Sequence, residues 1–286
     1  MKMDDQTIPS GSGEGLSMQT LTQLLNSGRK ILWLDYSDYV EMLLAQGNTP
    51  WLDVAPYVAL KSTAQSLLRS DVIQLPVESV CAAWIAAHPT LREEMASKKR
   101  IGFALKTLLA DAKLREHLLA LINGLRMSFA NIPLALVCPS PHAWMMQAYQ
   151  MVHGTQNILE FDEDDIDSGS VYIADFLRIF GDSGLDILLL KESANISPML
   201  ELYQSVINVA THYRWEVGIH VTGEIAENSL DFVISPQPNT VGRELAPECW
   251  IDDTVPDYPN KGFFFVRVPA DAKPERVLAR IAQLKA

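Results

Sequence analysis

Short apolar runs recur along this chain, most of them closing on a polar or charged residue, and they constrain its fold more than any other feature. They read ILWL at 31–34 before Asp35, VIQL at 72–75 before Pro76 and Glu78, PLALVC at 133–138 and LDILLL at 185–190. Four more follow, EVGIHV at 216–221, LDFVI at 230–234, CWI at 249–251 and GFFFVRV at 262–268. Runs without polar alternation predict strands covered on both faces. The stretches between them, notably 52–68 and 101–125, are rich in Ala and Leu with apolar residues three and four apart, which predicts helices. Parallel strands need crossover connections, usually helical. Eight such units therefore predict an α/β protein, a (β/α)8 TIM barrel.

The last connections are short, and Pro256 and Pro259 would break a helix between the seventh and eighth runs. A barrel with shortened late connections would leave part of its wall bare and invite a homo- or hetero-oligomeric partner. Residues 1–16, which include IPSGSGEG, predict a flexible leader, and 17–286 a single barrel domain. Residues 171–180 predict a helix stopped at Gly181 and Gly184. The acidic DEDDID at 162–167 predicts a solvated loop feeding that helix, since it lacks the glycine of a calcium loop.

With 48% hydrophobic and 20% charged residues, the chain has enough apolar material for one large core. A net charge of −12 argues against nucleic acid or an anionic membrane surface as a general partner. Three widely spaced cysteines suggest a reducing compartment, and no run is long enough to span a bilayer, so a cytoplasmic protein is expected. No glycine-rich phosphate loop is present, and no nucleotide cofactor is expected.

In barrels of this type the reacting groups sit where strands end. That rule selects Asp35, Tyr36, Glu78, Cys138, His142, Lys191, Glu192, His220, Asp252 and Arg267. His220 lies in an otherwise apolar strand before Thr222 and Gly223, as a catalytic imidazole or as a core residue bonded to backbone. Glu192 could serve as general base or metal ligand, or could pair with Lys191. Arg267 could hold a carboxylate or phosphate, or pair with Asp252 or Asp35. Asp35, Tyr36 and His142 are candidate substrate contacts, and Cys138 with His142 four residues on reads either as a nucleophilic pair or, for Cys138, as a small buried residue. A site of His220, Glu192 and Glu78 would suit a divalent metal such as zinc, with His220 and Glu192 as ligands.

Several blocks carry a family resemblance. Residues 173–202 (IADFLRIFGDSGLDILLLKESANISPMLEL) place a helix, a Gly-rich turn, a buried strand, an acidic loop residue and a Ser-Pro in order. VGIHVTG at 217–223, SLDFVI at 229–234, IPLALVCPSPHAW at 132–144 and the terminal block 262–284 extend the pattern. Together they resemble the uroporphyrinogen decarboxylase superfamily, which includes methylcobalamin:coenzyme M methyltransferase and cobalamin-independent methionine synthase-like branches. The resemblance implies the barrel fold and, from the methyltransferase branch, a corrinoid protein as a partner. The departures bear on function. Asp35, Tyr36, Ser37, Asp38 and Tyr39 stand where true decarboxylases carry an Arg-rich loop, and Glu78 stands for their catalytic Asp. Arg267, Val268 and Pro269 replace a Gly-His-Gly. His220, Val221 and Thr222 replace the zinc-binding His-x-Cys of the methyltransferase branch, and Cys249 does not match its last-strand Cys.

The leading expectation is transfer of a methyl or related group to or from a small organic substrate, centred on His220 with Glu192 as base or ligand and Glu78 and Arg267 positioning the substrate. A metal-independent decarboxylase, with Arg267 holding a carboxylate and Glu78 or Asp35 supplying the proton, is the second. A noncatalytic barrel serving as partner or scaffold is the third.

Overall fold

A computed structural model describes residues 20–156, 161–194, 196–223, 225, 230–251 and 256–286. The expected leader and Asp252 lie outside the described residues. Eight parallel strands form one sheet: β1 (Leu32–Asp35), β2 (Ile73–Pro76), β3 (Leu134–Pro139), β4 (Ile187–Lys191), β5 (Glu216–His220), β6 (Phe232–Ser235), β7 (Gly242–Glu244) and β8 (Phe263–Arg267). The order β1-β8-β7-β6-β5-β4-β3-β2 wraps the sheet into a (β/α)8 barrel. No described helix is long and apolar enough to cross a membrane.

The inner faces of the strands pack Trp33, Val137, Leu189, Phe232, Ile234, Phe263 and Phe265 into one buried cluster. Trp33 stands within 6.2 Å of the Phe232, Phe263 and Phe265 rings, and burial of each such aromatic contributes about 2 kcal/mol. Gly218 faces this cluster because a Cβ there would lie 2.1 Å from the Phe232 ring. The outer faces meet the helices through a larger cluster that includes Leu136, Cys138, Leu188 and Leu190. The short helix Leu21–Leu25 stops the N-terminal end of the barrel, burying Leu21 and Leu24 against the inner cluster. Its first amides donate to the Glu216 carboxylate at the start of β5, Leu21 N at 2.7 Å and Thr22 N at 2.8 Å.

β1 and β2 are not joined by a ladder, and side chains close the seam. Asp71 accepts from Leu32 N at 2.8 Å while its own amide donates to Leu32 O at 2.9 Å. Ser70 Oγ accepts from Leu34 N at 3.0 Å, and Gln74 Oε1 accepts from Trp33 Nε1 at 2.9 Å. A seam otherwise full of unpaired backbone groups is thereby satisfied.

Four expectations need correction. The seventh strand is Gly242–Glu244, and the apolar 249–251 falls on and just after a 3-10 turn, Pro247–Trp250, which buries Trp250 in the layer behind β8. The 101–125 stretch holds two helices, Phe103–Ala110 and Ala112–Ser128, because Asp111 caps the second by accepting from Leu114 N. The acidic 162–167 is the start of the helix Glu163–Leu177, with Asp162 as N-cap. Carboxylates are favoured there by the helix dipole. That helix ends at Leu177, and a 3-10 turn, Arg178–Phe180, completes the stretch. The β7–β8 connection is the longer of the two late connections and carries the 3-10 turn, whereas the β6–β7 connection is short as expected, with no helix in it. An open groove of about 580 Å³ over β6, lined in part by Leu230, Val233 and Val241, lies there.

Candidate functional site

Strand alternation decides which chain-end residues face the barrel mouth. The parity that puts Trp33, Leu189, Ile234 and Phe265 inside also puts Asp35, Lys191, His220, Glu244 and Arg267 inside, at the C-terminal rim. Asp35 and Arg267 are register partners on β1 and β8, and Lys191 and His220 on β4 and β5. An apolar barrel thus closes in a layer of charge.

His220 is buried, and its Nε2 lies 2.9 Å from Glu244 Oε2 on β7. Its ring rests against Phe265, with centroids 4.9 Å apart. Burial pushes the Glu244 carboxyl up. The hydrogen bond and charge of His220, with Arg267 and Lys191 beyond, outweigh it and hold Glu244 below the ordinary carboxylate range. With Nε2–H donating to Glu244, Nδ1 keeps its lone pair and can accept a proton.

Beside this dyad, a cavity of about 120 Å³ opens between the ends of β1, β2, β3, β4 and β8. Asp35, Asp38, Glu78, Lys191 and Arg267 line it, with Gln74 among the polar lining groups. Asp35 is held by Gln74 Nε2 at 2.6 Å and by the Ser37 amide at 3.4 Å. His220 and Glu244 border the mouth on the other side, and Lys191 and Arg267 stand between the two groups.

Glu192 follows Lys191 and therefore faces the outer layer. It accepts from Ser140 Oγ at 2.8 Å, Ser193 N at 2.9 Å and Tyr203 OH at 2.6 Å, with His142 Nδ1 3.8 Å away. Burial raises this carboxyl, but the neighbouring His142 imidazole first, and then the three donors, hold it below its ordinary value. His142 is buried in this cluster, edge-on to Phe161, and not at the cavity. Tyr36 is also turned outward: it is buried behind β1, with Lys61 Nζ 4.4 Å over its ring. The Cys138 thiol is fully buried and pushed well up by that burial and by Cys81. It is a small buried core residue, and the pairing with His142 that the spacing suggested is not made.

Of the expected site residues, the structure gathers Asp35, Glu78 and Arg267 at one cavity and His220 beside it, and it sends Glu192, His142 and Tyr36 behind the wall. Glu244 was not foreseen, because β7 carries no apolar run. The donors do not fit zinc. Glu192, the expected second ligand, is turned into the wall away from His220, Thr222 offers no thiolate, and no group of three or more His, Cys, Asp or Glu suited to a metal occurs among the described residues.

No protein-family model matches the chain, and no curated protein does. Among solved structures, a methyltransferase from Methanosarcina mazei is similar, with 12% identity and a TM-score of 0.56 over 93% of this chain and 98% of that one. The two chains share a fold. At that identity the likeness is one of architecture, and it agrees with the strand order and the layered barrel described above.

Proposed function

We propose that this chain is a group transferase, moving a methyl or related small group to or from a small organic substrate held in the cavity at the C-terminal mouth. The observation that carries the reading is the His220–Glu244 hydrogen bond at the rim, next to a charged cavity. Glu244 orients the imidazole, and Nδ1 takes the proton that an acceptor thiol or amine releases as its bond to the methyl group forms and the donor's bond to that group breaks. Arg267 and Lys191 fix the substrate electrostatically, and Glu78 faces them from the first turn of the helix Val77–Ala87. The sequence resemblance to the superfamily and the shared fold with the M. mazei methyltransferase support this reading, and the resemblance makes a corrinoid protein the natural donor. The wall cluster around Glu192 holds β3 and β4 in register behind the site.

The test is methyl transfer from labelled methylcobalamin to a panel of small thiols and amines. The wild-type protein is expected to transfer label to at least one acceptor, and His220→Gln to transfer it about 100-fold more slowly. No labelled product from any acceptor, or full activity in His220→Gln, would count against the reading.

A second reading has one specific observation in its favour: Arg267, Asp35 and Glu78 line the same cavity, as decarboxylation of a small acid would require. Release of carbon dioxide from a small carboxylate, lost in Arg267→Met and unaffected by His220→Gln, would identify it.

A further inference from the structure

The mouth cavity is lined by charges of both signs that do not neutralise one another. Lys191 and Arg267 reach it from the ends of β4 and β8, and Asp38 and Glu78 from the first turns of the helices Ser37–Leu43 and Val77–Ala87. Among the described residues none of the four takes part in an ion pair, although all border about 120 Å³ of space. The fifth charge, Asp35, is already bound by Gln74. Opposite charges that face a common space yet stand more than ion-pair distance apart favour a ligand that carries both signs itself. A purely anionic ligand would satisfy Lys191 and Arg267 while facing two unpaired carboxylates, and a purely cationic one the reverse.

Size narrows the class further. A space of about 120 Å³ approaches the roughly 150 Å³ of a cavity that binds benzene, which suits a ligand of about half a dozen non-hydrogen atoms. We propose that the substrate is a small dipolar ion of the amino acid type, with its carboxylate between Lys191 and Arg267 and its ammonium group toward Asp38 and Glu78. This rests on the group-transfer reading for its chemistry but not for its binding.

Glycine, acetate and methylammonium serve as probes of the two arms, titrated into the full chain with binding followed by NMR shifts of mouth-residue amides. Glycine is expected to bind at least tenfold more tightly than either single-charge probe. Arg267→Met should weaken glycine and acetate about tenfold and leave methylammonium unchanged, whereas Glu78→Gln should weaken glycine and methylammonium and spare acetate. Acetate binding as tightly as glycine, or shifts that the two substitutions do not alter, would overturn the proposal. His220→Gln keeps the cavity lining, so it should still bind glycine. Dipolar binding without any transfer activity would sink the group-transfer reading alone, and transfer confined to purely anionic acceptors would sink the dipolar substrate alone.

Discussion

Lys61 shows how much one side chain's surroundings decide. It is buried in the helix Val54–Leu68 with its ammonium over the Tyr36 ring, and burial pulls it from 10.5 down to about 8, with Asp35 opposing. Between about pH 8 and 10.5 the folded chain has lost this proton while the unfolded chain keeps it, so Lys61 makes stability rise with pH across that window. Below the window both states carry the charge, and the folded state bears the desolvation cost. Lys61→Met is therefore expected to raise the melting temperature at pH 7 and to flatten the rise above pH 8, measured by thermal unfolding across pH. An unchanged profile would show that the amine is hydrated. Glu192 is the converse case. Its hydrogen bonds outweigh its burial, so its stabilising contribution is present above the ordinary carboxylate range and is lost as pH falls through its lowered folded value.

At the scale of elements, the β1–β2 seam is the weak point of the barrel wall, because side chains replace a backbone ladder. Asp71→Ala leaves Leu32 N without its carboxylate and removes the partner of both Arg29 and Lys285, and it should cost about 2 kcal/mol in denaturant unfolding. Arg29→Ala, which removes only a half-exposed partner, should cost under about 1 kcal/mol. Equal losses would mean that the seam bond contributes nothing beyond the surface pair. The same scale explains what was legible in the sequence. Seven strands announced themselves as apolar runs because both their faces are covered. β7 did not, since its three residues are Gly, Arg and Glu, and its place is set by neighbours on both sides. Capping would have found the two misread helix starts, for Asp111 and Asp162 each accept from the amide three residues on.

For the whole molecule, the barrel was readable from rhythm and resemblance, whereas the site was only half readable. Asp35, Glu78 and Arg267 converge because each ends a strand or opens the helix that follows it, which sequence can suggest. The partner of His220 lies 24 residues away on the strand that sequence misplaced, and Glu192 faces outward because it follows the inward-facing Lys191. An apolar interior is topped by a charged rim, in which the cavity binds and the dyad beside it transfers the proton. Steady-state kinetics on the methyl acceptor found with methylcobalamin separate these two roles. His220→Gln should lower kcat about 100-fold with KM nearly unchanged, and Arg267→Met should raise KM about tenfold with kcat nearly unchanged. Losses falling in the same parameter for both substitutions, or no loss in either, would contradict this division of roles between dyad and cavity.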